Sequence, residues 1–205
     1  MGVYDSLNEM QLDVVKEIGN IGAGNACTAL SVLLGATVDM SVPNVQVLDF
    51  DSTSEYLGGD AHDILGIRID VTDDLEGMMF HIVRKPFAER IINTFYEKKL
   101  EDLKHLDEMD TSVLSEMANI TSGAYANSIA TLTNLFVNIG APIQSCATIG
   151  EILKIPFAEM VKPGEKILVI DEEFEIDENK IRSNMLLVLE NNSLRKLFEK
   201  LGVQE

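Results

Sequence analysis

One pattern constrains this chain more than any other: D-V-V-K-E-I-G-N at residues 13–20 returns as S-V-L-S-E-M-A-N at residues 112–119. Asp13 is matched by Ser112, Glu17 by Glu116 and Asn20 by Asn119, each at a shift of 99 residues. The same shift relates Pro43 to Pro142, so the register holds over thirty positions. A register kept that long implies a duplicated unit, and any fold proposed for the chain must place two similar halves together.

On an α-helix, residues spaced four and three apart fall within about 60° of one another, so Asp13, Glu17 and Asn20 form a narrow polar stripe. Val14, Ile18 and Ile21 cluster well away from it, which turns the stripe outward from the core. Ser6 followed by Glu9 reads as a capping box opening this helix, and a second helix is expected from near Asp110 or Thr111 to beyond Ser128. Gly19, Gly22 and Gly24 are costly in a helix, at up to about 1 kcal/mol each relative to alanine. Either the helix packs closely against its twin, or a partner's loop comes near the Asn20 turn.

After each long helix the residues alternate around a proline, Val38 to Val47 about Pro43 and Leu135 to Ile149 about Pro142, as in short strands broken at an edge. Residues 51–63 are polar and turn-rich. Two hairpins are expected, I-L-G-I-R-I-D-V with G-M-M-F-H-I-V-R, and K-I-L-V-I-D with N-M-L-L-V-L-E. A shorter helix follows each hairpin. Pro86 opens one, carrying Phe87, Ile91, Ile92 and Phe95 and ending near Lys98 and Lys99; Asn192 and Ser193 cap the other, which stops at Gly202. The plan is α+β, internally duplicated and pseudo-twofold, with two long motif-bearing helices packed with antiparallel β-sheet and shorter helices. We read one duplicated domain, its first half about residues 1–105 and its second about 106–205. Residues 151–164, E-I-L-K-I-P-F-A-E-M-V-K-P-G, lack an evident counterpart; their apolar residues read as core or as a docking surface.

A net charge of −18, from 16 Lys and Arg against 34 Asp and Glu, leaves little positive surface for a phosphate backbone or an anionic membrane. No apolar run approaches a membrane span, and the N-terminus lacks the basic and apolar regions of a secretory signal, so a cytoplasmic protein is expected. Cys27 and Cys146 are read as separate buried thiols. His62, His81 and His105 are isolated, and no metal-ligand spacing, nucleotide-binding glycine loop or Ser/His/acid constellation is present. The repeated carboxylate and amide remain. At neutral pH an amide is neither nucleophile nor base, but it holds a water through one donor and one acceptor, so such a residue completes an active site supplied by another molecule.

These residues resemble the signature of the CheC, CheX and FliY phosphatases of bacterial chemotaxis: Asp or Ser, three residues, Glu, two residues, Asn, then a distant proline. Two intact copies within 205 residues are similar to the CheC branch. The resemblance implies hydrolysis of the aspartyl phosphate on the response regulator CheY. Glu17, Asn20, Glu116 and Asn119 would be catalytic, with each Glu pairing a lysine of the regulator and each Asn orienting the attacking water. Asp13, Ser112, Pro43 and Pro142 would support the motif. No cofactor is implied in this chain, the magnesium belonging to CheY. The receptor deamidase CheD is implied as a second partner, the chain being a monomer or a heterodimer with CheD, and Ile152, Leu153 and Phe157 are assigned to that contact. Neither nucleic acid nor membrane is expected as a partner. The competing reading is a non-catalytic adapter that binds phosphorylated CheY and scaffolds CheD; a structural piece of the flagellar motor is a third.

Overall fold

A computed structural model describes residues 7–41, 43–160, 166–176 and 179–203. Its elements run α1 (Glu9–Leu34), β1 (Val38–Met40), β2 (Asn44–Leu48), α2 (Phe50–Tyr56), β3 (Asp63–Asp73), β4 (Gly77–Val83), α3 (Lys85–Asn93), α4 (Glu108–Thr133), β5 (Val137–Ile139), β6 (Ile143–Thr148), α5 (Ile149–Glu159), β7 (Ile167–Ile176), β8 (Asn179–Leu189) and α6 (Asn191–Lys200). Helix, two short strands, helix, hairpin and helix thus occur twice in the same order. The α+β plan is the one expected, with six α-helices on an antiparallel sheet among the described residues.

Several local expectations are corrected. Asn8, not Ser6, caps α1, exchanging bonds of 2.9 Å with Gln11; Ser6 lies outside the described residues. Helix α4 starts at Glu108, capped by Asp107 in a box closed by Asp110. Helix α3 ends at Asn93, so Phe95 is exposed and Lys98 serves α4 instead, reaching Asp107 at 2.6 Å and Asp110 at 2.5 Å. Ser193 sits inside α6, where its hydroxyl accepts from the Glu76 amide at 2.8 Å.

The polar stretch after Asp49 holds a helix, α2, because the Asp49 carboxylate accepts from the Ser52 amide at 2.9 Å. Its counterpart one repeat later is α5, so residues 151–160 are paired by the duplication after all; 161–164 lie outside the described residues. Pro156 lies within α5 and obscures its helical pattern, since proline removes one backbone donor.

The eight strands among the described residues form one sheet. Strands β1 and β2 lie on one edge, both against β7; β8, β4 and β3 follow; β5 and β6 lie on the other edge, both against β3. The outer strands of each half therefore pair with the hairpin of the other, as in Val45 opposite Ile170 and Ile67 opposite Gln144. The order reads alike from either edge when the halves are exchanged.

Alternation along the central strands sends successive side chains to opposite faces. Leu168, Ile170 and Phe174 of β7 face α1, α3, α4 and α6, whereas Ile167 and Val169 face α2 and α5. With helices on both faces, β4 is buried along its whole length and its sequence shows no polar alternation. Ile152 and Leu153, expected on a docking surface, are core residues at 1% and 0% exposure. A Cβ on Gly66 of β3 would stand 2.8 Å from Ile152 Cδ1, which shows how closely α5 lies on the sheet. Phe157 is half-buried, its ring 5.2 Å from that of Phe50 in an edge-to-face pair.

Candidate active site

Helices α1 and α4 carry the two motifs side by side over one face of the sheet. Both are 26 residues long, start in a capping box and stop at a left-handed residue, Gly35 at φ 58° and Asn134 at φ 56°. They cross where a side chain is missing: a Cβ on Gly22 would lie 2.6 Å from the Tyr125 ring. Farther along, Asn25 donates to the Ser128 hydroxyl at 3.2 Å. Close packing against the twin helix therefore accounts for Gly22. It does not account for Gly24, around which a Cβ would find no atom within 4 Å.

The polar stripes face outward. Asp13, Glu17, Ser112 and Glu116 are exposed, and Asn20 and Asn119 are partly covered. Asp13 pairs with Lys16 at 3.1 Å across exposed surface, a contact worth little. Among the described residues, the side chains of Glu17, Asn20, Glu116 and Asn119 make no hydrogen bond or ion pair. Each helix thus presents a carboxylate and, one turn on, an amide, both unengaged.

Behind the first amide, Pro43 is buried against α1, and a Cβ on Gly19 would lie 3.9 Å from its ring. Asn20 and Pro43 lie at one end of a cleft of about 720 Å³ between α1 and β1, bordered by Gly24, Thr28, Ser31 and Asp39. In the second copy, Pro142 is half-buried between β5 and β6. Gln144, two residues on, donates to the Thr111 carbonyl at 2.6 Å and the Ser115 hydroxyl at 2.8 Å, holding β6 to α4 beside Ser112 and Glu116.

The sequence matches the CheC-like family over residues 10–47 and 109–144, one stretch for each motif. It is 31% identical over 206 residues to the CheY-P phosphatase CheC of Bacillus subtilis, covering 98% of this chain and 99% of that one. The chain belongs to the CheC-like family. It is also 30% identical over 140 residues to the flagellar motor switch phosphatase FliY of B. subtilis, a stretch covering 67% of this CheC-like chain and 36% of that protein. Its fold matches that of Thermotoga maritima FliY with a TM-score of 0.76 at 23% identity, over 97% of this chain and 100% of the other.

Beneath the crossing lies a polar pair that the sequence reading passed over. Tyr125 of α4 donates to Glu172 of β7 at 2.6 Å, and Glu172 is 1% exposed. Burial pushes the Glu172 carboxyl up to about 7 despite the tyrosine bond. His81 of β4, also buried, bonds Ser122 of α4 at 2.8 Å, and burial holds its pKa down at about 4. Burial raises the Cys27 thiol to about 11, with Glu172 adding to the effect, so this cysteine is a poor nucleophile. Glu172 stands among inward positions 168, 170 and 174, and period-two spacing was the signal that could have found it. Among the described residues, no group of three or more His, Cys, Asp or Glu is placed to hold a metal, and no helix is long and apolar enough to cross a membrane.

Proposed function

We propose that this chain, one duplicated domain working in the cytoplasm, is a chemotaxis phosphatase that hydrolyses the aspartyl phosphate of CheY. The observation carrying this reading is the pair of unengaged Glu and Asn side chains repeated on two outward helix stripes. Kinship with a protein named CheY-P phosphatase CheC supports phosphorylated CheY as the substrate. In the reaction, water attacks phosphorus, the acyl phosphate P–O bond breaks, and the regulator's carboxylate and inorganic phosphate are released. Asn20 or Asn119 accepts one water hydrogen bond through its carbonyl and donates another through its amide, aiming the water at phosphorus. Glu17 or Glu116 pairs with a lysine beside the phosphoryl group and fixes the helix in register. This chain's own residues hold no metal in the reaction; magnesium, expected on CheY, would supply charge neutralisation at the phosphoryl oxygens.

The test is release of inorganic phosphate from phosphorylated CheY. Asn20→Ala with Asn119→Ala should return the rate to CheY's own while leaving binding intact. Full activity in that double variant refutes the mechanism. A wild-type chain that binds phosphorylated CheY without changing its decay is the adapter.

CheD is proposed as the second partner, in a heterodimer with a chain that is otherwise monomeric. Ile152 and Leu153 are core and drop out of that contact, which leaves half-buried Phe157 as the residue assigned to it. Phe157→Asp should weaken CheD binding in a calorimetric titration, and unchanged affinity removes that surface from consideration.

A further inference from the structure

The repeat extends one step before the polar stripe: Glu9-Met10 opens α1 and Glu108-Met109 opens α4, again 99 residues apart. Met10 and Met109 are 64% and 63% exposed. Each precedes Asp13 or Ser112 by three residues, about 60° around the helix on the side of Glu17 or Glu116, roughly 20° from that carboxylate and about 80° from Asn20 or Asn119. Ten residues of helix place the methionine about 15 Å along the axis from its asparagine.

A single exposed apolar residue is ordinary. The same residue, on the same flank of both copies and equally exposed, is a different matter. The other exposed apolar side chains of these helices do not repeat in this way: Val32 is matched by Thr131, and Leu132, at 39% exposure, by a leucine, Leu33, that is half-buried.

We propose that Met10 and Met109 are apolar anchors on which each helix seats the phosphorylated response regulator, setting its phosphoryl group against Asn20 or Asn119. The inference rests on the phosphatase reading above and names the remainder of its contact surface. An unbranched thioether adapts to a shallow apolar hollow, and exposed Glu9 and Glu108 beside it call for a hollow rimmed by lysine or arginine. The anchor contributes to holding the regulator and leaves the attacking water untouched.

The experiment measures phosphate release against phosphorylated-CheY concentration for wild type, Met10→Ala with Met109→Ala, and Met10→Leu with Met109→Leu. The alanine pair should raise KM roughly tenfold with kcat kept within about twofold, and the leucine pair should restore most of the affinity. An unchanged KM in the alanine pair overturns the proposal. If the wild-type chain accelerates nothing, the phosphatase reading has failed, and titration with CheY carrying beryllofluoride at its aspartate decides the anchor separately. Weaker binding by the alanine pair upholds it there; equal binding, or none by wild type, overturns it. Self-association of wild type that the alanine pair abolishes, with binding of CheY intact, assigns the methionines to a second copy of the chain and likewise overturns it.

Discussion

The two motif copies have the same outward stripe on helices of the same length, but they differ behind it. In the first copy the flank beyond Asn20 is open along Gly24 and the cleft to β1, and Val45 closes the back of α1 by apolar contact. In the second, the position a Gly123 Cβ would take is 3.8 Å from Ile139 Cδ1, and Gln144 in place of Val45 ties strand to helix by hydrogen bonds. The inner faces are complementary instead of alike. Tyr125 occupies the position of Ala26, and the ring it adds to one helix is received by the side chain missing from the other at Gly22. Two like outer surfaces are thus carried on an interior that cannot be symmetric, since two rings would not fit one crossing.

The largest expected effect breaks both copies at once. Losing both asparagines should lower the dephosphorylation rate on the order of a hundredfold or to CheY's own rate, whichever comes first. Asn20→Ala and Asn119→Ala assayed separately sharpen the comparison, because independent sites require their two deficits to sum to the whole.

Next comes the buried pair beneath the crossing. The Glu172 carboxyl keeps a proton in the folded chain up to about pH 7 that the unfolded chain releases near 4.5, so its contribution to stability falls as pH rises between those values. Glu172→Gln keeps an acceptor for Tyr125 and removes that loss. Its gain in melting stability over wild type should grow from pH 5 to pH 8, toward something on the order of 3 kcal/mol. His81 runs the other way. Its pKa of about 4 in the fold makes stability rise with pH between about 4 and 6.5, a slope that should emerge once Glu172 is gone. A pH-independent difference between the two proteins would remove Glu172 from this role.

Smaller effects separate the glycines. Gly22→Ala, meeting Tyr125 at 2.6 Å, should destabilise the fold by roughly 1–3 kcal/mol on thermal unfolding, less whatever alanine's helix propensity returns. Gly24→Ala meets nothing and should stabilise by up to about 1 kcal/mol. A raised KM in that variant would show a partner passing close to the first copy, and wild-type kinetics would leave the open flank unused. Smallest of all, Asp13→Ser gives the first stripe the residue of the second and should change activity by no more than about twofold, because Asp13 and its Lys16 partner are both exposed.

Much of this was legible in the sequence because it is local or repeated. Helical spacing placed Glu17, Asn20, Glu116 and Asn119 outward, period-two runs marked the hairpins, and Pro86 and Gly202 marked helix boundaries where they occur. Helix α2 escaped because Phe50 to Tyr56 is short and rich in Asp and Ser, residues as well suited to turns as to caps. Helix α5 escaped because Pro156 interrupts its pattern, which left its apolar residues divided between core and docking surface; Ile152 and Leu153 are core.

The sequence by itself determined the duplication and the two stripes, since the first follows from a register kept over thirty positions and the second from residue type and spacing along one helix. Tertiary structure decided which half supplies which strand, why internal packing calls for glycine at 22 and not at 24, and that Tyr125 and Glu172 meet beneath the crossing. Those depend on contacts between residues far apart in the chain, such as Val45 with Ile170, whose formation is set by how whole elements bury their apolar faces and not by any neighbouring residue.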